Sequence, residues 1–168
     1  DLRKLHRLAR YLKQHPRAVF IYRHQSMPDC LNVYSDSNWA GCLRTRKSTQ
    51  GGAIMFGSHC VKSWSTTQAT IALSSGEAEY YGMVKAACQG IGIRGILGDM
   101  GRSDRLIKTA GLGLSLKGMA ADMGKHARVR LWTDASAAKG IASRRGVGKV
   151  KHLDVNKLWL QERVHCGE

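Results

Sequence analysis

Acidic residues are scarce in this chain: 12 Asp and Glu stand against 27 Lys and Arg in 168 residues, a formal net charge of +15. That balance excludes a surface built for cationic partners and favours phosphate-rich ones. No CxxC pair occurs. The five cysteines (Cys30, Cys42, Cys60, Cys88, Cys166) are odd in number and widely spaced, which speaks against a disulfide framework or zinc knuckle and for a reducing compartment. No run approaches ~18 uncharged apolar residues, so no membrane span is expected. No signal-peptide pattern is visible, and an intracellular location is expected. The 43% hydrophobic content excludes a disordered chain, and the length suits one domain with its own core. The chain opens on Asp1 and runs at once into a helical pattern, which reads as a piece of a longer polypeptide.

Apolar residues at Leu2, Leu5, Leu8, Ala9 and Leu12, with basic residues between, predict a helix from Leu2 to Gln14 with one basic face, stopped by Pro16. Ala18 to Tyr22 is a short β-prone run, and Ser26 to Asp29 a turn, so residues 1–30 form a connecting helix and strand. The main domain, 31–168, begins after them. Leu31 to Asp36, Gly51 to Phe56 and Cys60 to Trp64 predict an antiparallel three-strand meander, the last two strands joined through Gly57-Ser58. Ser74-x-x-Glu77 is a capping box, followed by about 20 residues of helix. Val129 to Thr133 predicts a further strand ending on Asp134. Ser136 to Ala142 predicts a short helix, Ser143 to Lys151 a basic loop, and Leu153 to Val164 a final amphipathic helix.

An internal repeat interrupts this order. ACQGIGIRGILGDMG (Ala87 to Gly101) and AGLGLSLKGMAADMG (Ala110 to Gly124) share Ala, Gly, Gly, Asp, Met and Gly at matching positions. A local duplication adding an insert at about 102–124 is the expectation.

Four acids stand where acids are unexpected. Asp36 and Asp134 close β-strands, Glu79 lies in the first turns of the long helix, and Asp154 starts the last one. Strand ends and helix starts converge at one edge of a sheet. Like charges gathered there repel, and Mg²⁺, a hard ion that prefers carboxylate and water oxygens, relieves the repulsion. Two such ions about 4 Å apart can activate a water and stabilise the leaving oxygen of a phosphodiester.

These residues carry a resemblance. YSDSNWAG (Tyr34 to Gly41), RKSTQGG (Arg46 to Gly52), KSWSTTQATIALSSGEAEYYGM (Lys62 to Met83), LWTDASAAKGI (Leu131 to Ile141) and KHLDVNKLWLQERV (Lys151 to Val164) resemble the ribonuclease H region of copia-type retrotransposon polyproteins. RYLKQHP (Arg10 to Pro16) resembles the segment joining that region to the reverse transcriptase. The resemblance implies an α/β ribonuclease H-like fold: a mixed five-stranded sheet, antiparallel meander then parallel strands, flanked by helices. It implies hydrolysis of the RNA strand of RNA–DNA hybrids with two Mg²⁺ or Mn²⁺ ions. Its partners would be the hybrid and the reverse transcriptase portion of the same polyprotein, in a cytoplasmic virus-like particle or the nucleus.

Residue by residue, Asp36, Asp134 and Asp154 match the family's metal-binding aspartates. The glutamate is Glu77 or Glu79. Glu77 is occupied by the capping box, and residues two apart project about 200° apart on a helix, so Glu79 is preferred. Thr66, Thr67, Gln68, Arg144, Arg145, Lys149, Lys151 and His152 are candidate nucleic-acid contacts, and His152 is also a candidate for assisting proton movement. The insert and a weak final strand depart from the family pattern. The alternative reading is a decayed or repurposed copy that binds nucleic acid without cutting it.

Overall fold

The computed structural model describes residues 1–17, 19–109, 127–148, 152–153 and 155–167. Helix α1 (Leu2–Gln14) is followed by strands β1 (Cys30–Asn38), β2 (Thr49–Phe56) and β3 (His59–Thr67). Then come helix α2 (Ser75–Thr109), strand β4 (Arg128–Trp132), helix α3 (Ser136–Ser143), a 3-10 turn (Val155–Lys157) and helix α4 (Trp159–Cys166). The sheet order is β3-β2-β1-β4. The β1, β2 and β3 strands form the expected antiparallel meander, and β4 pairs with β1 in parallel. This is a mixed α/β architecture, compatible with a ribonuclease H-like fold.

Alternation along β1 sorts its two faces. Leu31, Val33 and Ser35 are buried beneath α2, while Tyr34 and Asp36 point to the open face. Leu31, Val33 and Ile54 are fully buried, each worth roughly 1.5–3 kcal/mol. They form one cluster with Ala86 of α2. Glycines set the closeness of that packing. A Cβ on Gly90 would meet methyls of Val129 and Val33 at 2.9 Å, and one on Gly82 would meet the Ser35 hydroxyl at 2.9 Å. The Gly82-Ala86-Gly90 stripe therefore seats α2 directly on the sheet, and Glu79, three residues before Gly82, is carried to the end of β1. The opposite side of α2 buries Tyr80, Tyr81, Met83, Val84 and Ala87 against α3 and α4.

Four expectations need correction. Among the described residues the sheet has four strands, not five. The described sequence after Thr133 has apolar residues at helical spacing and lacks a β-prone run. The run at 18–22 forms no strand over its described residues 19–22. Val19, Phe20 and Ile21 are exposed, and a strand without a partner ladder gains nothing. Side chains tie the chain here instead: the Tyr22 hydroxyl donates to the Cys60 carbonyl at 3.3 Å, and just beyond, Gln25 donates to the Phe56 carbonyl at 2.9 Å and accepts from the Ser58 N–H at 2.8 Å.

Helix α2 runs for 35 residues rather than about 20. Gly92 and Gly95, which look like breakers, have open space around them and cost only about 1 kcal/mol each in a helix. The first residues of the expected insert, 102–109, therefore continue α2, and 110–124 lie outside the described residues. The final helix is broken in two. The Lys157 carbonyl accepts the Tyr80 hydroxyl at 2.9 Å, and the Gln161 N–H turns back to Leu158 instead. No helix among the described residues is long and apolar enough to cross a membrane.

Candidate metal centre

Parallel pairing of β1 and β4 matches Tyr34 with Trp132. Two residues further on, Asp36 and Asp134 therefore emerge at the same end of neighbouring strands. Glu79 reaches them from the start of α2. Each of the three offers a carboxylate oxygen within 4.8 Å of the others. Asp36 and Asp134 are exposed, and Glu79 is buried.

Ser37 fixes the glutamate. Its N–H donates to Glu79 Oε1 at 3.0 Å and its hydroxyl to the same oxygen at 2.8 Å. Glu79 Oε2 is buried and has no hydrogen-bond partner. Such a group is costly to bury unless something satisfies it. Burial pushes the Glu79 carboxyl up from its ordinary value, the Ser37 bonds pull it down, and the charges of Asp36 and Asp134 push it up further; the net direction is upward. Three hard oxygen donors, one with an unmet lone pair, fit a divalent cation such as Mg²⁺ or Mn²⁺. An open groove lined by Tyr34, Asp36, Gly52, Trp132 and Asp134 gives solvent access. The Tyr34 and Trp132 rings, both lining it, stack on each other with centroids 6.2 Å apart.

Glu77 is built differently. It is 1% exposed, its N–H bonds to the Ser74 hydroxyl at 3.2 Å, and its carboxylate is fully engaged. Oε1 accepts from the Tyr81 hydroxyl at 2.7 Å. Oε2 accepts from the Leu73 N–H and pairs with His152 Nε2, both at 2.8 Å. Burial pushes this carboxyl up, but the bonds from Tyr81, His152 and Leu73 outweigh it, and the net direction is downward. The capping box is thus modified: Glu77 reaches Leu73 rather than Ser74.

The other candidates scatter. Thr66 is half-buried and accepts from Lys85 Nζ at 2.8 Å. Gln68, expected as a nucleic-acid contact, is instead buried, and its amide donates to the Ala78 carbonyl at 2.7 Å. Its side chain ties the end of β3 to α2. Arg144 is half-buried and donates to the Val147 carbonyl at 2.6 Å; Arg145 is exposed. His152 is held by Glu77. Asp154, Lys149 and Lys151 lie outside the described residues. Ser37 is the residue that sequence reasoning missed. Its only signal was a hydroxyl directly after Asp36, and β1 runs past both to Asn38 rather than closing on Asp36.

Comparison with known proteins finds two partial relatives. The uncharacterized mitochondrial protein AtMg00810 of Arabidopsis thaliana is 35% identical over 92 residues, covering 53% of this chain and 37% of that protein. The secreted RxLR effector protein 161 of Plasmopara viticola is 40% identical over 58 residues, covering 34% of this chain and 41% of that protein. No protein-family model matches the chain, and no solved structure does. The aligned stretches thus span about two fifths of the curated relatives, and the relation over half of this chain is what the comparisons establish.

Proposed function

We propose that this chain is the ribonuclease H-like portion of a copia-type retrotransposon polyprotein and hydrolyses the RNA strand of RNA–DNA hybrids. The observation that carries the reading is the meeting of Asp36, Glu79 and Asp134, with a buried Glu79 oxygen left unsatisfied. These three carboxylates would hold divalent ions, with Asp154 as the expected fourth ligand. When bound, Mg²⁺ or Mn²⁺ lowers the pKa of a coordinated water and stabilises the leaving oxygen of the phosphodiester. The protein's own work is positioning and attraction. Ser37 aims Glu79, and the parallel β1–β4 pair sets the spacing of the two aspartates. The excess of basic residues draws the hybrid's phosphates toward a locally acidic site. The exposed apolar side chains of α1, Leu2, Leu5, Leu8 and Leu12, suit a segment that packs against the reverse transcriptase portion.

The test is incubation with a labelled RNA–DNA hybrid and Mg²⁺, with double-stranded RNA and EDTA as controls. Cleavage of the RNA strand of the hybrid alone, lost with EDTA, supports the reading. Hybrid binding without cleavage under Mg²⁺ and Mn²⁺ would replace it with the non-catalytic alternative.

A further inference from the structure

Glu77 takes no part in the chemistry proposed above, yet a buried carboxylate is expensive to keep. Its three donors come from three separate pieces of the chain. Leu73 precedes α2, Tyr81 lies one turn along it, and His152 is 75 residues away in sequence. Two neighbouring ties reinforce the last of these. Leu153 is buried in the same cluster as Tyr81, and the Tyr80 hydroxyl holds the Lys157 carbonyl. Glu79, two residues on, projects to the other side of the helix and rests on Ser37. The first turns of α2 are therefore anchored by a carboxylate on each flank, and any rotation that loosens one displaces the other.

We propose that Glu77 is a positioning residue for the acid cluster. By binding the Leu73 amide, the Tyr81 hydroxyl and the His152 ring at once, it fixes the rotation of the first turns of α2. It thereby holds the Glu79 carboxylate on Ser37 and beside Asp36 and Asp134. The proposal rests on the preceding functional reading only in taking that cluster as the working site.

The test uses the isotope-labelled full chain without metal and follows the Ser37 amide, which reports directly on the position of Glu79. Glu77→Gln keeps the volume but loses one charged acceptor, and is expected to lower Ser37 exchange protection about tenfold. Tyr81→Phe and His152→Ala each remove one donor and should give smaller losses in the same direction. Ile54, in the β1–β2 ladder, should be unchanged in all three. Folded variants with wild-type Ser37 protection would overturn the proposal, as would a loss that spreads equally to Ile54, the mark of general destabilisation.

A second arm titrates Mn²⁺ by electron paramagnetic resonance, where Glu77→Gln should weaken binding about tenfold. Absence of Mn²⁺ binding in the wild type, with Ser37 still responding, sinks the metal reading and supports the positioning role. Tight binding in the wild type with Ser37 unmoved does the reverse.

Discussion

Glu77 and Glu79 are the same residue type, two positions apart on one helix, in opposite surroundings. The pocket around Glu77 supplies a donor for each carboxylate lone pair that matters, and the net effect holds its carboxyl below the ordinary range. The pocket around Glu79 supplies Ser37 on one oxygen, nothing on the other, and two more carboxylates opposite. Burial and those charges hold Glu79 above the ordinary range. Acid number and burial depth do not separate these two carboxylates; completeness of hydrogen bonding does.

Substitution of each glutamate should break the comparison most sharply. Glu79→Gln, Asp36→Asn or Asp134→Asn should lower Mg²⁺-dependent hybrid cleavage by about 100-fold or more while leaving hybrid affinity close to wild type. Gel-based cleavage and fluorescence anisotropy measure the two separately, and retained cutting would refute the site. Glu79→Gln should also leave stability unchanged or raised, because it removes a repelled charge.

Glu77→Ala should do the opposite. It strands buried donors and should cost ~2–3 kcal/mol in urea unfolding; a neutral result would mean that Glu77 is not a clamp.

The pH dependence separates the pair again. A carboxyl lowered in the folded state contributes stability above the unfolded value of 4.5, and that stability is lost as pH falls through the lower folded value. Glu79 is raised, so its protonated form favours the folded state, and stability is lost as pH rises from 4.5 through its higher folded value. Thermal melts of Glu79→Gln should lack the second loss, and those of Glu77→Gln the first. Mg²⁺ should abolish the Glu79 effect in the wild type.

Ser37→Ala should have the smallest effect. It removes one of two bonds to Glu79 Oε1 and keeps the backbone donor, so cleavage should fall only about threefold to tenfold, in line with a net ~1 kcal/mol hydrogen bond. A loss as large as that of Glu79→Gln would show that the hydroxyl, not the N–H, places the carboxylate.

Much of this was legible in the sequence because period reports local structure. Helix α1 matches its apolar spacing from Leu2 to Gln14, and the meander, β4 and α3 fall within two or three residues of their expected limits. The capping signature marked Glu77 as facing the helix start, although it reaches Leu73 rather than Ser74. Tertiary facts were hidden. The β-prone run at 18–22 has the composition of a strand but no ladder to join. The break at Leu158 arises because Tyr80 captures the Lys157 carbonyl, a contact between distant residues. Ser37 was invisible because its role depends on where its N–H points once α2 is seated.

The pairing of β1 with β4 has a temporal consequence. Trp132 and Asn32, joined by a 3.0 Å hydrogen bond, are 100 residues apart in sequence. Contacts of such range form late, after the loop between them has been closed. During synthesis Asp36 therefore waits without Asp134 until β4 has left the ribosome, and one edge of β1 stays bare meanwhile. A chain cut short before Arg128 would carry the meander and α2 but no paired aspartates. Its open β1 edge would make it prone to strand-to-strand aggregation. The fold thus delays assembly of the acid site until β4 has been made.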